Sequence, residues 1–147
     1  MTVSVQLVRS AAIALVALCC TAPVAHAQDS ATGVSLQLNR ADPEGEACRM
    51  TFVAGNTTGG DLSAAAYEMA VYNKEGQVSQ LVVMDFGPLV NGRTRVVQFD
   101  MPASDCTSIA RLTINDPPAN CGVADGASAE ACTANRKLES LTDIAFE

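Results

Sequence analysis

The one histidine of this 147-residue sequence, His26, lies in a segment that signal peptidases recognise. Residues 25–27 are Ala-His-Ala, the small-x-small pattern of a cleavage site. They follow an apolar run at residues 11–18, and Arg9 supplies the positive charge ahead of that run. We therefore predict a signal peptide over residues 1–27, and its removal would leave a mature chain without histidine.

Loss of the signal peptide would limit the chemistry that the mature chain can perform. Ser-His-Asp and Cys-His catalysis, and zinc or copper sites with histidine ligands, all require the missing imidazole. The sequence contains no Ser-x-x-Lys motif, and no motif fixes the separation of two carboxylates as glycosidases require. We predict no catalytic residue, no cofactor and no metal site, and hence a protein that is not an enzyme.

Cleavage would also remove Cys19 and Cys20, leaving Cys48, Cys106, Cys121 and Cys132. No two of these four form a Cys-x-x-Cys pair, which argues against a thiol oxidoreductase and against a structural zinc site. Cysteines of exported proteins usually form disulfides, and four cysteines allow three pairings. We favour Cys48 with Cys106, which stand at the starts of two predicted strands, and Cys121 with Cys132, which bracket one loop. A thiol-redox or metal-handling function is the alternative.

Two further groups of residues could hold metal ions. The acidic stretch at residues 42–46, and residues 115–116 together with 125–126, could bind calcium, but their spacing matches no known calcium loop and favours solvated turns. The thioethers of four methionines could bind Cu(I), although two of them occupy apolar strand positions and favour a core role: Met50, Met69, Met84 and Met101.

Short segments of alternating polar and apolar residues, separated by turn residues every 8 to 12 positions, predict an all-β sandwich. The six predicted strands cover about 34–39, 48–55, 65–72, 78–86, 93–99 and 108–115. Residues 116–131 are rich in Pro, Gly, Ala, Asn and Asp, so we predict a long loop there. A closing strand within 133–146 would bury Leu138, Leu141, Ile144 and Phe146. About seven strands result.

The mature chain, residues 28–147, has the size of one domain. All sixteen acidic residues and eight of the nine basic residues would remain in it, a formal charge of −8. Such a charge disfavours nucleic acid and anionic lipid headgroups as partners. The apolar run at residues 11–18 is shorter than the roughly 20 residues of a transmembrane helix. We therefore expect a periplasmic or secreted protein with no transmembrane segment in the mature chain.

Several motifs together resemble a family of short exported proteins from Gram-negative bacteria, some of them labelled as carrying a Tat signal sequence. The motifs span about residues 34–132 and are Cys48-Arg49 with Phe52-Val53, residues 71–76, Gly92-x-Thr94 with Phe99-Asp100, and residues 106–116. The middle of the chain is also similar to Ig-like sandwich modules of the FxLYD type. The resemblance implies an Ig-like antiparallel β-sandwich in an exported protein and brings no catalytic residues. The chain lacks the twin arginine of Tat signals.

These observations favour a non-enzymatic exported β-sandwich that acts as a protein-binding or envelope-assembly module. An exposed sheet edge, or the predicted loop at 116–131, would bind another envelope protein. A protease inhibitor that presents the loop between Cys121 and Cys132 rigidly to an active site is a further alternative.

Overall fold

A computed structural model describes residues 32–102, 104–124 and 130–147. The predicted signal peptide, with His26, Cys19 and Cys20, lies outside the described residues, as does Asp125. The described chain forms eight strands and one short 3₁₀ turn at Cys106–Ser108. The strands are β1 (Val34–Glu44), β2 (Ala47–Asn56), β3 (Leu62–Asn73), β4 (Val78–Asp85), β5 (Thr94–Met101), β6 (Ile109–Val123), β7 (Lys137–Ser140) and β8 (Ala145–Phe146).

The first two strands lie where the alternation of polar and apolar residues predicts them. In β2 the buried residues are Cys48, Met50, Phe52 and Ala54, while the residues between them are partly exposed. Since successive side chains of a strand point to opposite faces, this pattern gives β2 one core face and one solvent face. β1 alternates in the same way from Val34 to Leu38. The two strands then pair as an antiparallel hairpin.

Two four-stranded sheets pack face to face, with strand orders β5-β2-β1-β7 and β4-β3-β6-β8. The order β1-β2-β5 in one sheet and β4-β3-β6 in the other is that of strands A-B-E and C′-C-F in an Ig-like sandwich. The last two strands differ from a purely antiparallel arrangement, because β7 pairs in parallel with β1 and β8 pairs in parallel with β6. The all-β sandwich is confirmed, with eight strands where about seven were predicted.

Aromatic rings centre the core on Phe52. Its ring meets Phe86, Phe99 and Phe146 edge to face, with centroids 5.6, 5.9 and 5.6 Å apart. These rings come from both sheets and from the connection after β4, so their contacts join the two layers. The four methionines fill the same core, since Met50, Met69, Met84 and Met101 are all buried. Their predicted packing role is confirmed.

Two disulfides link the described cysteines, in the pairing that we favoured. Cys48 of β2 bonds Cys106 in the 3₁₀ turn that leads into β6, with Cα atoms 4.9 Å apart, so this bridge joins the two sheets. Cys121, near the end of β6, bonds Cys132, with Cα atoms 6.0 Å apart. Both Cα separations lie within the usual range for disulfides.

The predicted loop at 116–131 is wrong over its first half, because β6 continues to Val123. The pairing of β6 with β3 skips residues 116–119 and resumes where Asn120 faces Ala66. Pro117 and Pro118 lie inside that irregular interval, so their missing N–H groups break no ladder hydrogen bond. A segment whose composition indicates a loop can therefore lie within a strand, because the pairing is interrupted there and resumes beyond it. Residues 125–129 of the predicted loop lie outside the described residues.

The C-terminal segment also differs from its prediction. Residues 137–146 form two short strands in different sheets, where one closing strand was predicted. Ile144 and Phe146 are buried and Leu138 is packed partly against the core, as predicted. Leu141 is 59% exposed, so its predicted burial is wrong. It stands in the connection that crosses from one sheet to the other, where the two-residue alternation stops. No helix among the described residues is long and apolar enough to cross a bilayer.

Candidate functional site

The described part of the chain contains no cluster of three or more His, Cys, Asp or Glu side chains that could hold a metal ion. The four described cysteines are all engaged in disulfides. The acidic stretch at residues 42–46 begins within β1 and continues into the hairpin turn. Its carboxylates contact cations of the protein itself: Asp42 lies 3.1 Å from Arg40, and Glu44 lies 3.1 Å from Arg49.

Tyr67, on the core face of β3, is the centre of a polar cluster that includes Asp116, Cys132 and Arg136. Its hydroxyl donates a 3.1 Å hydrogen bond to the carbonyl oxygen of Cys132. Arg136 lies over the Tyr67 ring, 5.6 Å from the centroid, and donates two hydrogen bonds to the carboxylate of Asp116. Burial raises the pKa of the Tyr67 phenol to about 12. The hydrogen bonds from Arg136 lower the pKa of Asp116.

This Tyr67 cluster has a structural role. Its members connect β3 and β6 to the segment at 130–136 that precedes β7. A tyrosine whose pKa is raised stays protonated at neutral pH and is a poor base. Among the described residues Tyr67 is fully buried, so its hydroxyl is closed to solvent. The cluster therefore anchors the C-terminal segment.

Arg49, on the outer face of β2, forms ion pairs with two acids, Glu44 and Asp100. Its guanidinium donates bonds of 2.7 and 2.9 Å to the two carboxylate oxygens of Asp100 in β5. These hydrogen bonds lower the pKa of Asp100 and raise that of Arg49. The pair is exposed to solvent and fixes β5 against β2 across the sheet. It belongs to the strand pairing and presents no reactive group.

An open cavity of about 570 Å³ lies at one end of the sandwich. The β3–β4 turn, the 3₁₀ turn and the β7–β8 connection surround it. Ile109, Leu141 and Ile144 contribute apolar surface, while Lys74 and Asp143 contribute opposite charges. Both charged side chains are exposed, so solvent competes for them. Because binding sites usually combine an apolar pocket with a few fixed polar groups, this cavity indicates no particular ligand.

The four edges of the two sheets differ in length and charge. On one side of the sandwich the edges are β7, of four residues, and β8, of two residues, and β7 carries Lys137 and Glu139. Short and charged edge strands resist pairing with another chain. On the other side lie β4 and β5, of eight residues each. Length alone therefore leaves β4 and β5 as the candidate binding edges.

Charge distinguishes these two long edges. β5 contains Arg95 and Asp100 and directly follows Arg93, so cations and an ion pair line it. β4 has the sequence Val-Ser-Gln-Leu-Val-Val-Met-Asp, with no Lys, Arg or Pro, and Asp85 at its end is its only charge. Edge strands that avoid association usually carry Pro or charged side chains, especially Lys. β4 is the one long edge among the described strands without this protection.

The hydrogen-bond pattern of β4 shows which backbone groups are free. The N–H of Phe86, directly after β4, donates to Ala65 of β3. Because donors alternate along a strand in an antiparallel pair, Val82 and Met84 also direct their backbone groups towards β3. The N–H and C=O groups of Leu81 and Val83 consequently point away from the sheet, where a further strand would lie.

The same two residues expose apolar side chains on the outer face of the sheet. Leu81 and Val83 are each 58% exposed. Leu81 stands beside Ala70 of β3, whose small side chain leaves it uncovered, and Val83 stands beside Glu68. Glu68 accepts a hydrogen bond from the Asn115 amide and forms no ion pair with a described residue. Free backbone groups and exposed apolar side chains thus coincide on Leu81 and Val83, the candidate site that we call the β4 edge.

No protein-family model, curated protein or solved structure matches this chain. The resemblance to short exported proteins stays a prediction. The sequence predicted that an exposed sheet edge would exist but did not identify β4. The available indication was the absence of charge from residues 78–84, which becomes meaningful only once the strand order shows that β4 ends a sheet.

Proposed function

We propose that this protein is a non-enzymatic exported binding module whose β4 edge accepts an extended segment of another envelope protein. The observation that carries the proposal is that Leu81 and Val83 combine exposed apolar side chains with backbone groups that point away from the sheet and pair with no described strand. An added strand would gain backbone hydrogen bonds from the edge, and its alternate side chains would cover Leu81 and Val83. The two disulfides and the aromatic core support a rigid platform for such binding.

The surroundings of the β4 edge define the partner segment. Glu68 and Asp85 lie beside it, and neither forms an ion pair with a described residue. A complementary strand therefore carries apolar residues at two alternate positions and a Lys or Arg that approaches these carboxylates. The negative formal charge of the whole chain favours such a basic partner over long distances as well.

Proline substitution tests the edge with little effect on the sheet. In Val83→Pro the lost N–H is the one that points away from β3, so the β3–β4 ladder keeps its hydrogen bonds. Val96→Pro on β5 is the matched control, because Val96 also lies on an outer face and is exposed. Each variant would serve as bait in an envelope extract of the source organism, beside the wild type. We expect a partner that is retained by the wild type and by Val96→Pro and is reduced about tenfold or more with Val83→Pro.

Amide hydrogen exchange gives a direct second measurement on the isolated complex. In the free protein at high dilution, where it is monomeric, the N–H groups of Leu81 and Val83 should exchange rapidly, and with the partner bound they should exchange slowly. Equal retention of the same proteins by all three baits, or unchanged exchange at both residues in the complex, would contradict binding at the β4 edge. Circular dichroism of Val83→Pro checks that the variant remains folded.

A further inference from the structure

The free groups of β4 also allow the strand to pair with a second copy of itself. A two-fold axis through Val82 places Leu81 opposite Val83 of the second copy, in antiparallel orientation. Both residues direct their N–H and C=O groups away from β3, so the two symmetric pairs form hydrogen-bonded pairs. These two pairs contribute four backbone hydrogen bonds between the strands.

Side chains favour the same register. On the outer face, Leu81 of each copy packs beside Val83 of the other. The two-fold axis forms this contact twice, and each contact removes exposed apolar surface from water. Asp85 then faces Ser79 of the second copy, so no like charges stand opposite each other. Moving the axis to Val83 would place Asp85 opposite Leu81, and moving it to Leu81 would leave Val83 opposite Ser79. The axis through Val82 therefore gives the best match.

The negative charge of the protein does not oppose this contact locally. Asp85 of β4 faces Ser79 of the second copy, and the next acid on the outer face, Glu68, lies on β3. In a continuous sheet the two Glu68 strands are three strand spacings apart, about 14 Å. That separation exceeds the Debye length of about 8 Å at physiological ionic strength, so salt screens most of the repulsion.

We propose that, without its partner, the protein forms a symmetric dimer in which β4 pairs with β4 of a second copy and the two sheets become one of eight strands. This inference rests on the proposed function, because it uses the same free edge. One edge cannot hold two strands, so a bound partner segment and the second copy exclude each other. Self-association thus covers the exposed edge until a partner binds.

Sedimentation of the disulfide-bonded mature protein tests the dimer. From about 1 µM to about 1 mM, a range suited to a small interface, the average mass should rise from one chain towards two. Val83→Pro should stay monomeric, while Val96→Pro should dimerise as the wild type does. If the proline variant does not fold, the double variant Leu81→Lys/Val83→Lys replaces it, since both side chains are exposed.

Cysteine cross-linking tests the register. Val82 would face its own counterpart across the axis as a non-hydrogen-bonded pair, with Cα atoms about 4.5 Å apart, so Val82→Cys should oxidise to a covalent dimer. Val83 would lie diagonal to its counterpart, about 7 to 8 Å away, so Val83→Cys should cross-link at least about fivefold less. Non-reducing electrophoresis separates the products.

The outcomes distinguish this inference from the proposed function. A wild-type protein that stays monomeric at the highest concentration, or a dimer that persists in Val83→Pro or cross-links better through Val83→Cys, overturns the β4 dimer. In those cases a partner that still depends on Val83 leaves the proposed function standing. A β4 dimer for which no extract yields an edge-dependent partner supports the dimer and counts against the proposed function.

Discussion

The hydroxyl of Tyr67 donates a 3.1 Å hydrogen bond to the carbonyl oxygen of Cys132, inside the core of the sandwich. This contact joins β3 to the C-terminal segment beside the Cys121–Cys132 disulfide. A covalent bond and a buried hydrogen bond therefore meet at Cys132, which is itself fully buried. The segment at 130–136 is held at this point before the chain enters β7.

Replacing Tyr67 by Phe would leave that carbonyl without its donor. Because a buried polar group that loses its partner retains its desolvation cost, we expect the free energy of unfolding to fall by about 1 to 2 kcal/mol. Urea unfolding of the disulfide-bonded protein measures the change. Tyr72→Phe is the matched control, because Tyr72 is only half-buried and stacks against Arg111 through its ring. A loss of equal size in both variants would contradict the role of the Tyr67 hydroxyl.

Alkaline pH should weaken the fold through the same phenol. The folded-state pKa of Tyr67 is about 12, above the unfolded value of about 10. Between these values the folded state holds the proton more strongly, so this stabilisation is complete below about pH 10 and is lost as the pH rises towards 12. Unfolding measured across this window should be steeper with pH for the wild type than for Tyr67→Phe. The difference in ultraviolet absorbance between the wild type and Tyr67→Phe reports the ionisation of the Tyr67 phenol. A titration midpoint near pH 10 would contradict the effect of burial on its pKa.

Arg136→Ala should destabilise the protein by about 1 kcal/mol, since it removes a two-point contact with Asp116 and a guanidinium stacked on Tyr67. The Arg136 side chain is only 13% exposed, although Asp116 is half exposed and solvent screens part of the effect. Arg40→Ala removes the exposed pair with Asp42 and should change stability by less than about 0.5 kcal/mol. Urea unfolding midpoints of the two variants give the comparison. Equal losses of stability would contradict a larger contribution from the more buried Arg136.

The two disulfides should contribute unequally to stability. The Cys48–Cys106 bridge spans 58 residues and the Cys121–Cys132 bridge spans 11. On the loop-entropy model, replacing both cysteines of a bridge by Ala costs about 4 kcal/mol for the longer loop and just under about 3 kcal/mol for the shorter one. Urea unfolding of the two double variants tests the order.

Mass spectrometry of the protein purified without reductant checks the pairing on which that comparison depends. Two disulfides predict a mass four hydrogens below the reduced value and no reaction with an alkylating reagent. Two or four alkylated thiols would contradict the pairing and would return the cysteines to consideration as a redox or metal site.

The sequence predicted the parts of the fold that depend on local alternation. The β2 pattern from Cys48 to Ala54 identifies a core face because a strand repeats every two residues. The same reasoning failed at residues 116–123, where Pro117 and Pro118 indicate a loop although the strand resumes beyond them. It failed at Leu141 because the chain crosses there between sheets, and no local pattern reports such a crossing.

The candidate site depends on information that the sequence holds only indirectly. Leu81 and Val83 lie in a continuous apolar run at residues 81–84, which fits a central strand as well as an edge strand. Their backbone groups are free only because β4 pairs with β3 on one side and ends the sheet on the other. The cysteine pairing, in contrast, was accessible, because the starts of two predicted strands placed Cys48 and Cys106 near each other.

The parallel pairing of β7 with β1 and of β8 with β6 has a consequence for the order of folding. Residues 137–146 supply one edge strand of each sheet. During synthesis, a chain that has reached only residue 136 has β1 and β6 uncovered, with their backbone groups available to any neighbouring strand. Both sheets therefore become complete only after residues 137–146 have been synthesised.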